Sequence, residues 1–358
     1  MNSRERVLCA IDHTKPDKIP YWGDFTSIES QVKFFGEKFF EADFFTQSIF
    51  QARFLKSDII SIPVADFPSI DDIFTEKLVE GKDYALCKNP FGGIHYIRKS
   101  PFFCKILHSP VRNNADLDTL PRFEINKYQT KIRDFAELTR KLHNQEYFIL
   151  AIIKGPFEAP WVFLRGLAPY MMDLARNSPS LTRMIEIAFQ PMMELAEMVL
   201  DEGAVDGIWV TDDLGETRSP FVSVEKYRRF YKPWHKELVE RMHRKGAKVF
   251  LHSHGNVMSL VGEFVDVGFD SFDPFDPADN MPLSELKRLY GSRITLTGGI
   301  TRQIGNMTPE QIGQHLQQIV STAGPNGLIL ECGGGIPPEM TIGNYMEYSS
   351  AIEKCRRL

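Results

Sequence analysis

Eight short apolar runs recur along the chain, at residues 19–22, 58–63, 147–153, 207–211, 249–252, 269–272, 294–297 and 328–331, with longer helical stretches between them. Runs that are continuously apolar, rather than alternating, predict strands buried on both faces, as in a parallel sheet covered by helices. Eight such units predict an α/β fold of the (β/α)8 TIM-barrel type, and no linker or shift in composition divides residues 1–358 into separate domains. Two segments depart from this rhythm. Residues 83–98 alternate around Asn89-Pro-Phe-Gly-Gly93, which predicts a β-hairpin inserted after the second strand. Between residues 34 and 50, phenylalanine doublets repeat every five positions, which predicts an N-terminal helical cap packed on the barrel.

Chemistry in a barrel of this kind belongs at the C-terminal ends of its strands. Those ends carry Asp24, Asp66, Glu158, Asp212-Asp213, His252-Ser-His254, Asp273, Gly298-Gly299 and Cys332, taken in strand order. Asp24, Glu158 and Asp212 are the candidate acid–base residues. Asp66, Asp213 and Asp273 read more simply as helix caps or loop residues.

His252 and His254 are two apart at the end of a strand, and residues i and i+2 of a regular strand point to one side, so the pair can share an ion. Cys332 follows another apolar run and precedes three glycines. Two imidazoles and a thiolate make a three-ligand set with a free fourth position, the pattern of catalytic rather than structural zinc.

Net charge is −5 with acidic and basic residues interspersed, which gives no footprint for nucleic acid. No basic cluster or long apolar run suggests a membrane partner. Five scattered cysteines, an odd number, suit a reducing cytoplasm. A small molecule or another protein is the expected partner, and a homodimer is compatible with such a chain.

Taken in order, several patterns resemble the uroporphyrinogen decarboxylase superfamily. They are the N-terminal Arg4-Glu-Arg-Val-Leu through Ile19-Pro-Tyr-Trp22, Gly155-Pro-Phe157, Asp212-Asp-Leu-Gly215, Ser223-Val-Glu-Lys-Tyr-Arg228 with Pro233, His252-Ser-His-Gly255, Gly298-Gly-Ile300, and Gly335-Ile-Pro-Pro338 with Asn344. The resemblance spans nearly the whole chain and implies a (β/α)8 barrel. The decarboxylases of the superfamily have an arginine-rich N-terminal segment, whereas Gly23-Asp-Phe-Thr-Ser-Ile-Glu29 here has no arginine.

His252 and Cys332 are similar instead to the zinc ligands of the corrinoid-dependent methyltransferase branch, with His254 standing where that branch has cysteine. This likeness implies zinc as cofactor and a corrinoid (methylcobamide) supplied by a partner protein. It also implies methyl transfer between that corrinoid and a small-molecule donor or thiol acceptor. Glu158 or Glu331 would fill the fourth zinc position, and Asp212 would orient His252. The competing expectations are a metal-independent decarboxylase or lyase using Asp24 or Asp212, and a non-catalytic corrinoid-binding barrel.

Overall fold

The computed structural model describes residues 1–66 and 73–357. Twelve strands lie along them: β1 (Tyr21–Trp22), β2 (Ile59–Ala65), β3 (Glu76–Glu80), β4 (Tyr84–Lys88), β5 (Ile94–Arg98), β6 (Phe103–His108), β7 (Phe148–Lys154), β8 (Gly207–Thr211), β9 (Lys248–His252), β10 (Ser271–Phe275), β11 (Thr295–Ile300) and β12 (Leu328–Cys332). Eight of these form one curled sheet in the order β1-β12-β11-β10-β9-β8-β7-β2, every recorded pairing parallel. The fold is therefore the predicted α/β barrel.

Side chains divide between two cores because strand neighbours point to opposite faces. Trp22, Ile59, Phe148, Leu150, Phe250 and Ile329 fill the barrel interior, and Val7, Ala10 and Ile11 of the helix Ser3–Ile11 close its lower end. Their strand neighbours, among them Tyr21, Ile60, Ile149, Leu251 and Leu330, pack outward under the surrounding helices. Alternation thus decides, residue by residue, which side chains can reach the lumen.

The insertion after β2 is larger than the predicted hairpin. β4 and β5 are that hairpin, but β3 and β6 flank it in a four-stranded antiparallel sheet. β3 is exposed throughout and β6 nearly so, so neither carries the alternation that marks a half-buried strand. The phenylalanine-rich segment forms the helices Ile28–Phe35 and Phe44–Leu55 with a 3-10 turn between them. Phe34, Phe35 and Phe54 pack against one another, Phe25 and Tyr345, so the segment is a cap held by ring contacts. Among the described residues no helix is long and apolar enough to cross a membrane.

The chain ends are tied together at Asp58, just before β2. Its carboxylate accepts from Arg6 Nη1 at 2.6 Å, Ser3 Oγ at 2.8 Å, the Tyr21 backbone N–H at 3.0 Å, and the Arg356 guanidinium. Arg6, Asp58 and Arg356 are all buried. Removing one partner from such a network leaves uncompensated charge in the core, a cost of about 3–5 kcal/mol. Asp58→Ala is therefore expected to lower the thermal unfolding midpoint by roughly 4–7 °C, and a change within ~1 °C in calorimetry would show that the network does not carry the closure.

Candidate functional site

His252 is the last residue of β9 and faces inward, in phase with Phe250. On the two adjoining strands, Thr211 and Asp273 pair with it in register. The Asp273 carboxylate lies 2.8 Å from His252 Nδ1 and also accepts from Trp209 Nε1 at 2.9 Å. Three neighbouring strands thereby fix the imidazole. Burial alone would lower its pKa, but the hydrogen bond and charge of Asp273 prevail and raise it to about 9.

Ser253 then points outward and accepts from the Leu214 backbone N–H, and His254 returns toward the lumen. The two imidazoles meet edge to face with ring centroids 4.6 Å apart. The His254 N–H donates to Asp213 Oδ1 at 2.8 Å, and that oxygen lies 3.7 Å from His252 Nε2. Burial and the charge of His252 push the His254 pKa down to about 4, while the two histidines hold the Asp213 carboxyl low against its own burial. A neutral imidazole therefore sits beside a charged one. Gly255 permits this turn: its φ is +86°, and an added Cβ would stand 2.4 Å from the Gly215 carbonyl carbon.

Across the lumen, Glu331 of β12 is in phase with Ile329 and so faces inward. Its Oε1 accepts from the Gly334 backbone N–H at 3.2 Å, and its Oε2 is buried without a hydrogen-bond partner among the described residues. Burial and the negative charge of Asp273 push this carboxyl well above its ordinary range. Cys332, one residue on, belongs to the outer core, with its Sγ 3.9 Å from the Thr301 carbonyl oxygen. Burial and the charge of Glu331 push its thiol well above the usual value.

The structure brings His252 and His254 together as the spacing predicts, but it seats Cys332 on the other side of the strand. Among the described residues no three His, Cys, Asp or Glu side chains form a ready-made cage for a metal ion. The donors inside the lumen nevertheless suit zinc: two adjacent imidazoles, one braced through its far nitrogen by a carboxylate, and an unpaired buried carboxylate oxygen.

The remaining candidates occupy other parts of the rim. Asp24 accepts from the Phe25 N–H and from Gln51 Nε2, both at 2.7 Å, and its burial raises its pKa to about 6. Asp212 is fully buried, and its Oδ1 accepts from the Phe157 and Glu158 backbone N–H groups at 2.8 Å. Its Oδ2 lies 3.0 Å from His235 Nε2 without hydrogen-bond alignment. Asp212 thus braces the turn after β7, and the carboxylate that orients His252 is Asp273, which the sequence reading took for a cap. Glu158 pairs at 2.8 Å with Lys154, which also reaches Asp66 at 3.0 Å. Sequence reasoning passed over Lys154, although its phase with Phe148 and Leu150 places it inward.

Two carboxylates share the Lys154 ammonium, whose pKa is raised despite burial. Burial, with repulsion from Asp213 and Asp212, lifts Glu158 from its ordinary 4.5 to about 7 even so. Folding therefore favours protonated Glu158. Its contribution to stability is complete below about pH 4.5 and is lost as the pH rises to about 7. Glu158→Gln is expected to flatten the dependence of the thermal midpoint on pH across that window, and parallel profiles for variant and wild type would contradict the assignment.

The uroporphyrinogen decarboxylase (URO-D) family model matches residues 104–355. Uroporphyrinogen decarboxylase of Myxococcus xanthus is 24% identical over 239 residues, which cover 64% of this chain and 65% of that protein. Among solved structures, a methyltransferase from Methanosarcina mazei superposes with a TM-score of 0.71 at 15% identity, covering 99% of both chains. A B12-independent methionine synthase from Shewanella sp. W3-18-1 gives 0.54 at 13% identity, over 95% of this chain and 94% of its own. Likenesses at such identities establish the barrel alone, whereas the family model covers well over half of the sequence. The chain belongs to the uroporphyrinogen decarboxylase family.

Proposed function

We propose that this protein is a zinc-dependent methyltransferase that moves a methyl group between a corrinoid carried by a separate protein and a small molecule, a thiol being the favoured acceptor. The observation that carries this reading is the paired imidazoles of His252 and His254 in the lumen, with Asp273 bound to the far nitrogen of His252. A carboxylate in that position fixes the tautomer and aims Nε2, as it does for metal-bound histidines generally. Zinc held by His252 and His254 would supply the Lewis acidity that keeps a thiol ionised near neutral pH.

The chain's own residues supply positioning and proton handling. Asp213 holds the His254 turn in place through the backbone N–H. Glu158, with a pKa of about 7 and close enough to Asp213 for their charges to repel, is suited to take up the proton that a thiol releases. Phe25 packs on the phenylalanine-rich cap, whose Gln51 donates to Asp24.

The decarboxylase alternative finds less support at the rim. Lys154 lies between Asp66 and Glu158, and Arg302 between Asp276 and Asp279, so neither cation is free to bind the acid groups of a polycarboxylate.

Anaerobic incubation of zinc-loaded protein with methylcobalamin and a panel of thiols tests the proposal. Wild type is expected to release methyl thioether. Asp273→Asn should lower the rate by roughly 10–100-fold, the usual effect of removing a carboxylate behind a metal-bound histidine, and His252→Ala should lower it at least as much. Wild-type rates no higher than a protein-free control would refute thiol methylation.

A further inference from the structure

Three features of β12 bear on which of its residues serves the lumen. The first is phase. Ile329 is part of the interior cluster with Phe250 and Trp22, whereas Leu330 and Cys332 lie in the outer core. Glu331 and His252 therefore share the lumen, and Cys332 does not. To turn Cys332 inward, β12 would have to slip by one residue. That slip would break five register pairs with β11, from Leu296–Leu328 to Ile300–Cys332, and the Tyr21–Leu330 and Trp22–Glu331 pairs with β1. Glu331 is on the lumen side without any slip, near enough to His252 for their charges to act on one another.

The second feature is the orphan oxygen. Glu331 is 9% exposed, and its Oε2 has no hydrogen-bond partner among the described residues. A buried carboxylate oxygen left in this way calls for a partner, such as an ion, a water or a bound group.

The third is proximity through the glycine turn. Glu331 Oε1 accepts from the Gly334 N–H, and a Cβ added to Gly334 would lie 3.8 Å from both Cε1 and Nε2 of His254. The Gly334 backbone thus holds the carboxylate by a hydrogen bond and passes near the imidazole edge.

We propose that the third protein ligand of the zinc is the Glu331 carboxylate and that Cys332 is a structural residue of the outer core. The inference rests on reading the His252–His254 pair as a metal centre. It replaces the sulfur expected from sequence with oxygen, giving a two-histidine, one-carboxylate site, a donor set known for catalytic zinc. Any thiolate at this metal then comes from the substrate, so sulfur ligation itself reports acceptor binding.

Metal content and the electronic spectrum of the cobalt(II)-loaded protein test this without measuring turnover. Wild type and Cys332→Ser should each retain one zinc per chain, while Glu331→Gln should bind it at least ~10–100-fold more weakly. Circular dichroism would verify that both variants are folded. Wild-type cobalt protein, which requires no variant, should lack sulfur-to-cobalt charge-transfer absorption until a thiol is added. Such a band before thiol addition, or zinc lost from Cys332→Ser and kept by Glu331→Gln, would overturn the assignment while leaving the metal centre in place. Wild-type protein that takes up no zinc would overturn the metal centre itself and the ligand assignment with it.

Discussion

Strand alternation governs what this barrel can do. A strand turns successive side chains to opposite faces, and hydrogen bonding to both neighbours removes the freedom to choose otherwise. Along β9 this puts Phe250 and His252 inside, and beyond its end it leaves Ser253 outside and His254 inside. Along β10 it places Asp273 at the same level as His252, and along β12 it selects Glu331 over Cys332. The chemical contents of the lumen follow from this constraint and from the register of eight parallel strands.

Those contents have a consistent electrostatic logic. Carboxylates outnumber the cations they pair with, so the charges are shared unequally. Asp273 and Asp213 face His252, and Asp66 and Glu158 divide Lys154. Burial raises the pKa values of Glu331, Asp24 and, despite its pairing with Lys154, Glu158, because it disfavours their charged forms. A lumen in which carboxylates outnumber cations favours a cation over a polyanion.

Much of this was legible in the amino-acid sequence. The run at 147–153 became β7 at Phe148–Lys154, the run at 328–331 became β12, and the pairing of His252 with His254 followed from a two-residue spacing. Partners set by tertiary register were not legible. Nothing local distinguishes Asp273, which orients His252, from Asp212, which braces the Gly155 turn, because only the alignment of β9 with β10 does so. The packing side of Cys332 was not legible for a related reason. A reactive residue type at a strand end looks like a ligand until the phase of its own strand, readable from Ile329, shows that it faces the helices.

The most direct measurement of the central claim is zinc K-edge X-ray absorption of the purified, thiol-free protein. The account predicts a first shell of nitrogen and oxygen alone, at about 2.0–2.2 Å. A sulfur scatterer at about 2.3 Å would place Cys332 on the metal and contradict it.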